Sequence, residues 1–274
     1  MTTVTQTTPT AGDGVGRNYR FEHFGLGIAM SDFAFSADAL GPGDVLPDST
    51  LIDVEGRLLS LRVLADGLPL VLVTGSISCP MTTAALPDLK EIATRHARTL
   101  RFALVQVREG HPGEHVAQPR TMDEKARHAQ RLRDARGVDW PVLVDDLDGS
   151  LHRRLDTMPN SLHVIAPDGT VLYRALFAGD GRVAAALSSI ARGEAPARRH
   201  TSRMMSPVLE AAGYMHSTLR DAGPRAYREV LTAAPPMAMM AMGTRLFPFL
   251  PEKRRGAALI LMLALGAGAA LSLL

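Results

Sequence analysis

Residues 71–82 read VLVTGSISCPMT and predict how the fold begins, with a buried strand, a turn and then a helix. The run over 71–73 is apolar and mostly β-branched, which is typical of a strand covered on both faces. Gly75 indicates the turn. Pro80 suits the first position of a helix, where its missing N–H costs nothing and its φ is already helical. We therefore expect Cys79 to lie at the N-terminus of that helix.

Cys79 is the only cysteine in 274 residues. At a helix N-terminus, unpaired N–H groups and the macrodipole favour the thiolate, which is the reactive form. The position therefore indicates redox or nucleophilic chemistry. The alternative is a buried structural cysteine. A single cysteine forms neither an internal disulfide nor a CxxC pair, so a redox cycle through it needs a second thiol from another molecule.

The composition is that of a globular protein, 46% hydrophobic and 21% charged, with a formal net charge of +2. Basic residues are scattered apart from a cluster at 198–203, and no basic face is interleaved with aromatic residues, so nucleic-acid binding is not expected. His111, Glu114 and His115 lack a third or fourth ligand at a usual metal-site spacing, so neither a metal nor a bound cofactor is expected.

The remaining elements follow from hydrophobic patterning. Apolar runs predict strands and amphipathic runs predict helices, with strands at 50–54, 68–73, 102–107, 141–145, 161–165 and 171–174 and helices at 82–98, 123–136 and 183–192. An Asp-Gly turn at 168–169 predicts a hairpin between the last two strands. The order β-α-β-α-β-β-α with a strand lead-in predicts a thioredoxin-like α/β fold, in which helices flank a central mixed sheet.

Four segments are expected along the chain: a disordered lead over 1–17, a thioredoxin-like domain over 18–193, a Met-, Arg- and Pro-rich linker over 194–255 with helices at 208–220 and 226–234, and a membrane anchor over 256–274. The last segment carries no charge and follows the basic run at 253–255. It therefore predicts a C-terminal transmembrane helix with the main domain in the cytoplasm. The alternative is a buried terminal helix of a soluble cytoplasmic protein.

Three segments resemble the iodothyronine deiodinases, and most closely their bacterial cysteine-containing relatives. Residues 75–80 (GSISCP) resemble the active-site turn, in which selenocysteine takes the place of Cys79. Residues 102–112 (FALVQVREGHP) resemble a strand that ends in a Glu-Ala-His-Pro motif. Residues 141–173, with PNSLHVI at 159–165, match the rest of that domain in order and spacing. The resemblance spans roughly residues 40–190 and implies a thiol-dependent oxidoreductase of thioredoxin-like fold.

The resemblance also implies the roles of five residues. Cys79 matches the nucleophile, Ser76 a family serine, Glu109 and His111 the family pair, and His128 a second family histidine. From the residues themselves, His111 suits holding Cys79 as a thiolate or passing a proton to a leaving group, and Glu109 suits orienting that histidine.

Two prolines are expected to support the site. Pro80 begins the helix after Cys79, and Pro159 matches the cis-proline that thioredoxin-like folds place against the active cysteine. Its alternative is an ordinary turn proline. Ile77 occupies a position where animal deiodinases often have cysteine, so this motif lacks a resolving thiol. The expected partners are a small-molecule substrate and an external thiol or thioredoxin-type reductant, and a homodimer is left open.

Two other functions are compatible with the sequence. A one-cysteine peroxiredoxin-like peroxidase places a hydroxyl three positions before its cysteine, as Ser76 does here, but Leu72 stands where those enzymes have proline. In that case peroxide oxidises Cys79 to a sulfenic acid, which an outside thiol reduces. A non-enzymatic alternative is a membrane-tethered redox sensor or binding module, which predicts that Cys79→Ser leaves partner binding intact.

Overall fold

The apolar run before Cys79 forms the central strand of a mixed sheet in the computed structural model, which describes residues 19–156 and 158–271. Residues 1–17, where a disordered lead is predicted, lie outside the described residues. Within the described ranges the sheet contains eight strands: β1 Thr50–Asp53, β2 Leu58–Ser60, β3 Leu70–Gly75, β4 Arg101–Gln106, β5 Val142–Val144, β6 Leu162–Ile165, β7 Val171–Ala175 and β8 His200–Thr201.

Helices cover both faces of the sheet and form the C-terminal part of the chain. In the same ranges they are α1 Leu26–Ser31, α2 Leu61–Ala65, α3 Pro80–Arg95, α4 Met122–Arg136, α5 His152–Leu155, α6 Val183–Ala191, α7 Met205–Ala222, α8 Pro224–Ala233, α9 Pro235–Gly243 and α10 Glu252–Leu271, with a 3-10 turn at Thr244–Leu246. Helix α3 begins at Pro80, and α7 and α8 coincide with the two helices predicted after the main domain.

The sheet order is β2-β1-β5-β4-β3-β6-β7-β8. Strand β3 pairs in parallel with β4 and antiparallel with β6, which pairs antiparallel with β7. The core β4-β3-β6-β7, with α3 connecting the two parallel strands, is the arrangement of a thioredoxin-like fold. The predicted thioredoxin-like core is confirmed. The strands predicted at 50–54 and 141–145 are β1 and β5, which with β2 extend the sheet beyond β4, and β8 extends it beyond β7.

The core lies on both faces of β3 because successive side chains of a strand point to opposite sides. Val71 and Val73 join the cluster under α3, α4 and α6, whereas Leu70 and Leu72 join the cluster on the side of α2 and α5. Strand β4 alternates in the same way. Burial on both faces explains why these strands appear in the sequence as continuous apolar runs.

Helix α4 has strong signals at both ends. At its N-terminus Thr121 and Glu124 form a capping box, in which each side chain bonds the other residue's backbone N–H. At its C-terminus Gly137 adopts a left-handed conformation with φ of 57°, which glycine reaches at little cost. These signals explain why its predicted limits agree with the structure to within one residue, and they set the position of His128 on it.

The C-terminal helices pack against the main domain. Met215 and Leu219 of α7, with Ala226 of α8, form a hydrophobic cluster with Val116 and with Phe24 from the N-terminal segment. Ile77, two residues before Cys79, packs on the edge of this cluster. Helices α7 and α8 therefore support the chain around the cysteine.

Helix α10 crosses α7 at very short range. A Cβ atom on Gly213 would lie 1.8 Å from the Glu252 carbonyl oxygen, and one on Gly256 would lie 1.9 Å from that of Leu209. The start of α10 is therefore packed on α7, and its first four residues, EKRR, are charged. No helix within residues 19–156 and 158–271 is both long enough and apolar enough to cross a bilayer. The predicted membrane anchor over 256–274 is not supported, and residues 272–274 lie outside the described part.

Candidate active site around Cys79

Cys79 is the N-cap residue of α3 and Pro80 is the first helical residue. The turn from β3 is closed by a hydrogen bond from the Cys79 N–H to the Ser76 carbonyl at 3.2 Å, and the Cys79 carbonyl accepts the first helical bond, from Thr83 N, at 3.2 Å. The predicted position of the cysteine at the start of the helix is confirmed.

The sulfur is enclosed, because only 4% of the Cys79 surface is exposed. Burial raises the pKa of the Cys79 thiol, since a thiolate would lose its hydration. Hydrogen bonds from Thr82 and from the Met81 N–H act in the opposite direction, as expected at a helix N-terminus, but their effect is smaller. The expectation of a thiolate is therefore wrong for this conformation, in which Cys79 is a thiol.

Gly110 lies directly beside the cysteine. A Cβ atom built on it would be 3.2 Å from Cys79 Cβ and 3.4 Å from Pro159 Cγ. The Gly110 N–H donates to Ser76 Oγ at 3.1 Å. The backbone that follows β4 is therefore attached to the turn before Cys79, and the structure brings Ser76 and Pro159 to the same place as the cysteine.

Pro159 reaches this position without the expected backbone geometry. No peptide bond within residues 19–156 and 158–271 is cis, so the Met158–Pro159 bond is trans and the expected cis-proline is wrong. The Pro159 carbonyl instead accepts a hydrogen bond from Thr82 Oγ1 at 3.2 Å, and Thr82 Oγ1 in turn accepts from the Ser76 N–H at 3.3 Å. Thr82 connects the proline to the turn.

Glu109 is fully buried at the centre of a polar network. Its Oε2 accepts from Ser78 Oγ at 2.6 Å and from the Ser78 N–H at 3.1 Å. Its Oε1 accepts from Gln106 Nε2 at 2.9 Å and lies 2.9 Å from His128 Nδ1. Buried polar groups of this kind are stable only when their hydrogen-bonding capacity is used. The network holds the residue before Cys79 in place.

The histidine that pairs with Glu109 is therefore His128, where sequence reasoning expected His111. The resemblance implied His128 as a site residue, and α4 brings its ring to the Glu109 carboxylate. The expected Cys79–His111–Glu109 relay is not formed in this conformation. Only the His111 backbone joins the network, through a bond from its N–H to Ser78 Oγ at 3.2 Å.

The His111 ring lies in an apolar setting. It is 8% exposed, its Nδ1 has no hydrogen-bond partner, and its centroid is 4.4 Å from that of Phe24. Burial lowers the pKa of His111 to about 4, and the nearby positive charge of Arg108 adds to this effect. His111 is therefore neutral at pH 7 and, while its ring stays buried, a weak base.

Sequence reasoning missed three polar residues of this site. Ser78 and Gln106 bind the Glu109 carboxylate, and Gln118 bonds the Glu109 backbone twice, through Oε1 to the N–H at 3.0 Å and through Nε2 to the carbonyl at 2.8 Å. Gln106 did carry a signal, since it is an uncharged polar residue that ends an apolar strand. Ser78 and Gln118 lie in loops and carry no periodic signal.

Within residues 19–156 and 158–271, no group of three or more His, Cys, Asp or Glu residues is arranged to hold a metal ion.

The fold and the site together define a thioredoxin-like domain with one buried cysteine at the start of its first core helix. No protein-family model matches the sequence. No curated protein matches it significantly.

Solved structures of similar shape exist at low sequence identity. An uncharacterised conserved protein from Geobacillus kaustophilus is 14% identical, with a TM-score of 0.48 over 58% of this chain and 87% of that one. A hypothetical protein from Sinorhizobium meliloti is 16% identical, with a TM-score of 0.47 over 61% and 93%. A peroxidoxin from Mycobacterium tuberculosis is 20% identical, with a TM-score of 0.41 over 55% and 98%. None of these likenesses assigns an activity to this chain.

Proposed function

We propose that this chain is a thiol-dependent oxidoreductase in which Cys79 is the nucleophile. The observation that supports this most directly is the placement of the cysteine at the N-cap of α3. The backbone N–H groups of Gly110 and His111 donate to the serine hydroxyls of the turn that leads to it. Donors at a helix N-terminus stabilise a thiolate once one forms. His111 lies in the loop bonded to the residue before Cys79, and its role as acceptor of the thiol proton requires hydration of the site, because burial lowers its pKa.

The simplest electrophile is a peroxide. The Cys79 thiolate attacks one peroxide oxygen, the O–O bond breaks, and water or an alcohol leaves after taking up a proton. Cys79 becomes a sulfenic acid. Two external thiols then reduce it, giving water, a disulfide and the original thiol. The second thiol comes from outside because the chain contains one cysteine. In this scheme His111 transfers the proton, and the Glu109 network holds the Ser78–Cys79 turn.

The deiodinase resemblance extends the proposal to carbon–halogen bonds. Here the sulfur takes the halogen from an aromatic carbon, which takes up a proton, and a sulfenyl halide forms. Two external thiols then release halide and a proton and form a disulfide. Cysteine is a weaker nucleophile for halogen than selenocysteine, so the peroxide reaction is the one to test first.

The test is the intact mass of the purified full-length chain after brief exposure to low hydrogen peroxide, before and after dithiothreitol. We expect a single-oxygen adduct that disappears with dithiothreitol, and no adduct in Cys79→Ser. Turnover with peroxide and thioredoxin then separates an enzyme from a redox sensor, which is oxidised once without sustained turnover.

If peroxide leaves Cys79 unmodified, iodide release from an iodinated phenol in the presence of dithiothreitol tests the halogen reaction. An unmodified cysteine together with no iodide release would overturn the proposal and favour a non-enzymatic binding module.

A further inference from the structure

The N-terminal segment 19–40, which we call the strap, packs against residues on two sides of the cysteine. On one side Phe24 stacks against the His111 ring. On the other, Phe33 and Phe35 pack on a small cluster that contains Phe177 and Met158, together with Met81 of the first turn of α3. The strap therefore supplies apolar side chains to both flanks of the site, in which Cys79 is nearly inaccessible.

A buried ion pair joins the strap to the backbone beside the site. Arg108, the residue before Glu109, donates to Asp32 Oδ1 at 2.7 Å, with 4% and 15% of the two side chains exposed. Arg108 also lies over the Phe21 ring at 4.9 Å. Burial is the main cause of the raised pKa of Cys79, and the negative charge of Asp32 raises it further. The strap thus both covers the sulfur and disfavours its thiolate.

The two ends of the strap are firmly attached. At the start, Tyr19 Oη lies 2.9 Å from Nδ1 of the buried His152. At the end, the Leu40 N–H donates to the Arg154 carbonyl at 2.8 Å, and Arg174 donates to the Ala39 carbonyl at 3.0 Å. Both attachments are made to the main domain.

The middle of the strap contains a short and partly exposed helix. Its helix α1 has six residues and no side-chain cap, and Leu26 and Met30 on it are 61% and 67% exposed. A helix this short has little stability of its own. Its polar attachments include Asp32 to Arg108 and two bonds to Glu229, from the Phe24 N–H to Oε2 at 2.8 Å and between His23 Nδ1 and Oε1 at 2.6 Å, and Ser36 Oγ donates to Asp156 Oδ1 nearer the end. Loss of the Asp32 or Glu229 carboxylate would weaken the hold on the middle while both ends stay bound.

We propose that the strap opens between its two attached ends, and that this opening controls access to Cys79. The proposal rests on the proposed function, since it regulates the same cysteine. In the closed form the sulfur is covered and Asp32 lies near it. Opening lets in water and moves the carboxylate away. The thiolate then becomes easier to form at the N-terminus of α3, where the donors remain.

The test is the rate at which Cys79 is alkylated by iodoacetamide in the full-length chain, where a single cysteine makes the signal unambiguous. Asp32→Asn weakens one attachment and Glu229→Gln the other. We expect each to raise the rate about tenfold or more, since a lost charge-assisted bond shifts an opening equilibrium by that order. Glu229→Gln separates opening from the direct electrostatic effect of Asp32.

Asp38→Asn is the matched control, because Asp38 is an exposed carboxylate of the same segment. We expect it to leave the rate unchanged. A bulky maleimide provides a second readout, since opening should accelerate its reaction by a larger factor than that of iodoacetamide. Equal rates in wild type, Asp32→Asn and Glu229→Gln, with all three folded by circular dichroism, would overturn the proposal.

Hydrogen exchange of the unaltered protein covers the case in which a variant fails to fold. We expect the amides of α1 to exchange through an opening of lower free energy than that of β3. The proposal is overturned if both segments exchange only by global unfolding. Neither readout requires peroxide or halide chemistry. Faster alkylation, with neither oxidation of Cys79 by peroxide nor iodide release, would therefore support the strap and contradict the proposed function.

Discussion

Glu109 and His128 form a buried pair, with Oε1 and Nδ1 2.9 Å apart and with 0% and 13% of their side chains exposed. The residues are 19 positions apart and come from the loop after β4 and the middle of α4. Their pairing connects that helix to the backbone beside Cys79. It leaves the His111 ring without a carboxylate partner. The two histidines therefore differ, since His128 pairs with Glu109 and the His111 ring lies against Phe24.

We expect Glu109→Gln to destabilise the protein by about 2–4 kcal/mol, because an amide N–H₂ would face donors that now reach a carboxylate. Chemical denaturation in urea measures this free energy. Glu91→Gln is the matched control. Glu91 pairs with Arg95 on the exposed surface of α3, with 71% of its side chain exposed, and a change within about 0.5 kcal/mol is expected there. Equal effects would contradict the central position of Glu109.

Stability should fall in mild acid because of His111. Its folded pKa of about 4 lies below its ordinary value of 6.5, so the unfolded chain binds the extra proton between these values. Stability is therefore full above pH 6.5 and decreases as the pH falls towards 4, by about 3 kcal/mol for this group. His163, with a pKa lowered to about 3 by burial, adds to the slope.

Urea unfolding from pH 7 to 4 checks this dependence. His111→Phe should reduce the slope of the unfolding free energy against pH, while keeping an aromatic ring against Phe24. His200→Gln is the control, because it removes an exposed histidine. An unchanged slope in His111→Phe would show that the buried ring is not responsible.

Gly110→Ala should disturb the site locally. The added methyl group would lie 3.2 Å from Cys79 Cβ and 3.4 Å from Pro159 Cγ, closer than most Cβ contacts. We expect a loss of about 1–3 kcal/mol and a changed rate of Cys79 alkylation. Gly181→Ala is the control, since a Cβ there meets nothing within 4 Å. Thermal unfolding and the alkylation rate measure the two effects. Equal results for Gly110→Ala and Gly181→Ala would contradict the prediction.

Gly256→Ala should displace α10 from α7, because the new methyl group would collide with the Leu209 carbonyl. Backbone cannot move aside as a flexible side chain can, so we expect a lower melting temperature and faster proteolysis near residue 256. Gly266→Ala is the control on the same helix, where a Cβ meets nothing within 4 Å. There the better helix propensity of alanine should leave stability equal or slightly higher.

The sequence alone determined the strands and helices of the thioredoxin-like core and their order. The apolar runs of β3 and β4 and the signals at the ends of α4 are local, because burial on both faces and helix capping leave their pattern within a few residues. The Cys-Pro pair placed Cys79 at the start of α3 for the same reason. The resemblance to deiodinases also indicated Ser76, Glu109 and His128, which the structure brings to one site.

Only the tertiary structure decided which groups meet. Whether Glu109 bonds His111 or His128 depends on how α4 packs across the sheet, and no spacing in the sequence encodes that choice. The burial of Cys79, and hence its raised pKa, depends on a strap that begins sixty residues earlier in the chain. The geometry of α10 depends on a close crossing through Gly213 and Gly256. Each results from contacts between distant segments, which local patterning does not determine.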